Sequence, residues 1–148
     1  MNNRSLFTAD EWRTLQFAPL WVFTAVAGAD RSVDEKEVAA LAKEIADWAL
    51  YKEPLVQEIL LSVALDLSNM MAQYRADSRN VMTGLSNVAD VLDRKATVDQ
   101  AKNFKGAMVL LGRNIAQASG GGLFGAGDKM SGDEKAALGL IILSLRVS

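Results

Sequence analysis

The residues best suited to chemistry in this sequence are carboxylates beside a helix start. Asp30, Asp34 and Glu37 lie in the stretch AGADRSVDEKEVAAL, residues 27–41. Asp34 and Glu37 have the spacing of a capping box: the first side chain accepts from amides of the opening turn, and the second reaches back to the first residue's N–H. Val33 and Val38 flank them where a hydrophobic staple forms, so packing as well as hydrogen bonding sets the entry of the helix. A turn held this firmly could present carboxylate oxygens to a hard cation. A plain cap, with acids favoured by the helix dipole, requires the same two residues. Both readings stand on the residues alone.

Other chemistry is narrowed by what the chain lacks. The 148 residues include no cysteine and no histidine. This excludes disulfides, thiolate and imidazole zinc sites, cysteine nucleophiles and every histidine-based acid–base arrangement. Carboxylates, hydroxyls, Lys and Arg remain. The Gly-rich segment SGGGLFGAGD, residues 119–128, precedes a helix but follows no strand and carries no G-K-[ST] ending, so it meets neither phosphate-loop pattern. It reads as a flexible connector after a helix cap. A net charge of −2 offers no general attraction to nucleic acid.

The elements that must position these carboxylates are all helical. Two prolines and half the residues hydrophobic argue for a compact all-α single domain over residues 1–148, a bundle of about seven helices. Thr8 to Glu11 forms a capping box that opens the first helix, and Pro19 is placed to start a second running to Val26. The third carries Val38, Leu41, Ala42, Ile45, Trp48 and Ala49 as one apolar stripe. A fourth helix runs from Pro54 to Tyr74, with Glu58, Ser62, Asp66, Asn69 and Gln73 as its narrow solvent face. The fifth spans Ala76 to Leu92, with Gly84 tolerated or used for close packing. Thr97 and Gln100 cap a sixth, whose Lys102, Lys105 and Arg113 are expected to stay wet. The last runs from Lys135 to Arg146. No apolar run reaches the roughly 20 residues of a membrane span, and the N-terminus lacks a secretory pattern, so a cytoplasmic location is expected.

Ser131 to Glu134 is a further capping box, and it echoes the first stretch. Superposing the caps sets Asp34 on Ser131, Glu37 on Glu134, and Ala39-Ala40-Leu41 on Ala136-Ala137-Leu138. With these residues the chain resembles the tellurite-resistance TerB-like family, which includes the N-terminal domain of DjlA-type membrane co-chaperones. That family has an apolar helix ending in Ala-Asp-Gly, then a variable residue, Ile or Val, Ser or Asp, and a Glu in the first turn of the next helix. Ala29, Asp30, Val33, Asp34 and Glu37 match in order, while Arg31 stands where the family has Gly. The resemblance implies an all-α fold in which two acidic turns meet. It nominates Asp30, Glu37, Asp128 and Glu134 as ligands of a divalent cation such as calcium, magnesium or manganese.

The resulting expectation is a non-enzymatic helical module, binding a metal through its acidic turns and acting with protein partners in a tellurite- or stress-resistance setting. The alternative is a structural or adaptor domain with no metal site. A carboxylate-metal hydrolase ranks third, for want of a base, an electrophile and a substrate pocket. Protein partners are expected without nucleic acid or a transmembrane segment; peripheral membrane association and homo-oligomerisation stay open.

Overall fold

A computed structural model describes residues 3–27, 35–117 and 132–147 of the chain. Among these residues run seven α-helices and no strand, so the all-α bundle expected is the fold observed. They are α1 (Ala9–Ala27), α2 (Glu35–Ala46), α3 (Pro54–Leu65), α4 (Leu67–Ala76), α5 (Val81–Lys95), α6 (Val98–Ala116) and α7 (Gly132–Leu145), with 3-10 turns at Arg4–Leu6 and Trp48–Leu50. The segments 28–34 and 118–131, with the expected acidic turns and the Gly-rich connector, lie outside the described residues.

α1 is the axis of the bundle, packing on α3, α4, α5, α6 and α7. Its second half is apolar except for Thr24, whose hydroxyl bonds the Leu20 carbonyl and the Tyr74 hydroxyl, as suits a helix enclosed by others. Thr8 and Glu11 cap it reciprocally, Glu11 N–H donating to Thr8 Oγ1 at 3.1 Å and Thr8 N–H to Glu11 Oε1 at 2.8 Å. Pro19 does not start a second helix, contrary to the sequence expectation: it is buried inside α1. An interior proline costs about 3 kcal/mol. Phe17, Leu20, Trp21, Val22 and Phe23 on both sides of it are essentially fully buried, and a break there would pull several of them from the core.

The expected fourth helix is in fact two. The chain bends by 94° between α3 and α4, with Asp66 at the corner in a non-helical conformation. Asp66 N–H donates to the Val63 carbonyl, and its exposed carboxylate accepts from Asn69 Nδ2 at 3.0 Å. The polar spacing runs through this corner without interruption, which hides it in the sequence. After the bend, Met70, Met71 and Tyr74 lie in the core. Glu58, expected in solvent, instead accepts from the Asn3 amide at 3.0 Å and from Asn3 Nδ2 at 3.0 Å, anchoring the chain's start to α3.

α5 starts later than the periodicity indicates, at Val81, because the Asn80 side chain caps it by accepting from Thr83 N–H at 2.8 Å. α6 opens on the expected capping box of Thr97 and Gln100. No single helix among the described residues is long and apolar enough to cross a membrane. α3 and α4 reach that length and composition only as the bent pair, of which Leu55, Val56, Ile59, Leu60, Val63, Met70, Met71 and Tyr74 are buried in the core.

Candidate functional site

Of the four nominated metal ligands, Asp30 and Asp128 lie outside the described residues, as do Asp34 and Ser131. Glu37 is on α2, its backbone alone described, and Glu134 is half-buried near the start of α7. Among the described residues no three His, Cys, Asp or Glu side chains are grouped to hold a metal ion. Of the positions the superposition pairs, Ala39 and Ala136 are both exposed and Leu41 and Leu138 both buried, while Ala40 is half-buried and Ala137 buried.

A second polar cluster joins α5, α6 and the end of α7. Lys105, expected in solvent, is only 8% exposed. It lies on the apolar stripe, four residues from Ala101 and three from Met108, and that spacing was the available signal. Its Nζ donates to Asp93 Oδ1 at 3.0 Å. Arg146, in the left-handed region at φ 56°, reaches back to Asp90 Oδ1 at 2.7 Å and Asp93 Oδ2 at 3.3 Å. Beside them is a cavity of about 360 Å³ between apolar walls that include Leu92, Ala101 and Val147. Burial opposes the charge on Asp93, but hydrogen bonds from Lys105 and Arg146, with their positive charge, outweigh it and hold the carboxyl below its ordinary range.

The folded carboxyl titrates below the unfolded one, so its stabilisation is complete above an ordinary aspartate value of about 4 and is lost as pH falls through the lowered folded value. Asp93→Asn is therefore expected to lower stability at neutral pH and to flatten the acid limb of stability against pH. Denaturant unfolding across the acid range reads this, and an unchanged acid limb would refute the pairing.

A groove lies between α6 and the chain from Asp47 to Pro54. Its wider part, about 660 Å³, is bounded by Leu50, Pro54, Lys52, Lys102, Ala107 and Leu110. It continues past Leu50, Tyr51 and Leu110 into a cleft of about 170 Å³ reached by Glu44, Asp47 and Asn114. Two leucines form its lips, Leu50 at 78% exposure and Leu110 at 47%. Neither sits on its helix's core stripe, which is the sequence signal that was passed over. Gly106 lies in the groove with open space where a Cβ would project. The interior of α6 thus carries a weak helix former that packing within the chain does not require.

Charge divides the groove lengthwise. Glu44 and Asp47 stand at one end; burial, then the Asp47 charge, raise the Glu44 carboxyl, against the opposing effect of Lys43. Tyr51 on the floor is pushed up to about 12 by burial and then by the two carboxylates, against a hydrogen bond with Asn114. At the other end are Lys52 and Lys102, both exposed. Glu53 is also there, but its carboxylate accepts from Leu55 N–H at 3.2 Å and from Asn103 Nδ2 at 3.2 Å.

Over 147 residues the chain is 29% identical to a Methanothermobacter thermautotrophicus protein described as "Uncharacterized protein ORF11'". The match covers 98% of this chain and 93% of that protein. No family model matches the chain, and no solved structure does.

Proposed function

We propose that this chain is a non-enzymatic helical module that works by contact with protein partners. The observation that carries this reading is the groove between α6 and the Asp47–Pro54 segment, with apolar lips and a different charge at each end. Isolated surface leucines are ordinary, but two that border one concave apolar surface favour burial against a partner. Tyr51 keeps its proton far above neutral pH, and the chain has neither histidine nor cysteine to act as base or nucleophile.

A photo-crosslinking residue at position 110 is expected to form a protein adduct, whereas one at exposed Met82 on α5 is not. No adduct from position 110 would sink the reading.

A divalent cation at the two acidic turns belongs to the same proposal, as does the cytoplasmic stress-resistance setting of the TerB-like resemblance. What supports the cation is the matched placement of Glu37 and Glu134 near the starts of α2 and α7. Calorimetry with calcium, magnesium and manganese is expected to give heat and a raised melting temperature for at least one, since a ligand of the folded state stabilises it by mass action. Neither effect with any of the three would remove the metal and leave the adaptor.

A further inference from the structure

We infer that the occupant of this groove is a second copy of the same chain, related by a twofold axis near Leu50 and Leu110. The inference rests on the proposed interaction role of the groove and names its partner.

The argument is self-complementarity. A twofold interface presents the same patch from both subunits, so each feature on one side of the axis must find its counterpart on the other. Along α6 the groove runs from Lys102 through Gly106 and Leu110 to Asn114, about 18 Å at the helical rise. Lys52 and Lys102 lie at one end, with the hydrogen-bonded Glu53 beside them, and Glu44 and Asp47 at the other, with the two leucines between, so the two ends differ in the sign of their net charge. Lys52, Lys102, Glu44 and Asp47 form no ion pair among the described residues. Turned through 180° about its centre, the patch sets lysines over carboxylates twice and leucines over leucines once. The open space at Gly106 lets a second backbone approach, and a cation from the partner copy would relieve the crowding of Glu44 and Asp47. A partner of uniform charge would match one end of the groove and oppose the other.

Sedimentation of the purified full chain over a wide concentration range tests this. The wild type is expected to dimerise reversibly. Asp47→Lys and Lys102→Glu each place like charges together twice and are expected to weaken the dimer about tenfold or more. Both positions are exposed, and Asp47 makes no side-chain cap bond, so helicity by circular dichroism should stay unchanged. An equimolar mixture of the two variants is expected to restore dimers, because the mixed pair regains one native contact and one reversed contact of opposite sign. Damage to the fold cannot be repaired by mixing. Leu50→Asp is expected to give monomer alone and in every mixture.

A wild type that stays monomeric overturns the second copy as occupant, while a position-110 adduct with a different protein would keep the interaction module. A dimer indifferent to all three substitutions places the interface elsewhere and overturns the inference as well.

Discussion

Gly84→Ala is expected to destabilise the protein by about 3 kcal/mol, although alanine is the better helix former by about 1 kcal/mol. A Cβ at this position in α5 would fall far inside van der Waals contact with Cε2, Cδ2 and Cζ2 of Trp21. That indole has nowhere to move. It is fully buried in α1, with Phe17 edge-on at 5.6 Å and 88° and Tyr74 edge-on at 6.2 Å and 69°. The Arg79 guanidinium lies over it at 4.9 Å from the ring centroid. Overpacking a rigid contact between two helices forces either the ring off its rotamer or the helices apart, and α1 and α5 form one of the main contacts of the bundle. Denaturant unfolding measures the loss. Adding Trp21→Phe, which shortens the ring, should recover part of it, giving a coupling energy of about 1 kcal/mol or more. Strict additivity of the two substitutions would show that the ring is not the obstacle.

Arg79→Ala is the second large effect, expected at about 2 kcal/mol. Arg79 sits in the connection between α4 and α5 and ties three elements together. It grips Asp77 as a fork, Nε to Oδ1 at 3.0 Å and Nη2 to Oδ2 at 2.8 Å. Its Nη1 donates to Thr14 Oγ1 of α1 at 3.1 Å and Asn87 Oδ1 of α5 at 3.2 Å. The two paired side chains are 26% and 19% exposed, so this pair is screened far less than one on the surface. Alanine removes the stacked plane over Trp21 together with the donors. Arg79→Lys keeps a charge beside Asp77 without the fork or the stack, and is expected to recover less than half of the loss. A lysine variant as stable as the wild type would show that charge alone accounts for this residue.

Both predictions converge on Trp21, and the sequence offered only part of that picture. Gly84 was legible as a glycine tolerated or used for close packing, because it interrupts an otherwise ordinary helical pattern. That it faces an indole from a helix some sixty residues earlier is a long-range fact. Arg79 carries no local signal at all, since one arginine in a short connection looks like any solvated charge.

The errors at element boundaries have one cause. Local signals point the wrong way at Pro19 and at Asp66, indicating a break where α1 continues and continuity where α3 gives way to α4. Local preference argued for a break at Pro19, and the burial of its neighbours on every side outweighed it. Local periodicity argued for continuity at Asp66, and the gain from folding Tyr74 back against Phe17, ring centroids 5.6 Å apart, outweighed that. Lys105 was misplaced for a related reason. A lysine is assigned to solvent by type, yet its long apolar stem fills the stripe of α6 while Asp93 satisfies its tip.

By itself, the sequence determined the all-α class, the capping boxes of α1 and α6, the buried faces of α5 and α6, the buried Leu41 and Ile45 of α2 though not Ala49, which is exposed beyond the end of that helix, and the exclusion of histidine and cysteine chemistry. Each depends on residues within a few turns of one another, where 3.6-residue spacing and capping hydrogen bonds act without reference to the rest of the chain. Only the tertiary structure decided that α1 runs unbroken through the middle, that α3 and α4 part at a right angle, and that Leu50, Leu110, two lysines and three carboxylates border one groove. Those outcomes depend on which apolar surfaces meet across the bundle, and burial energy of that kind is set by neighbours in space rather than in sequence.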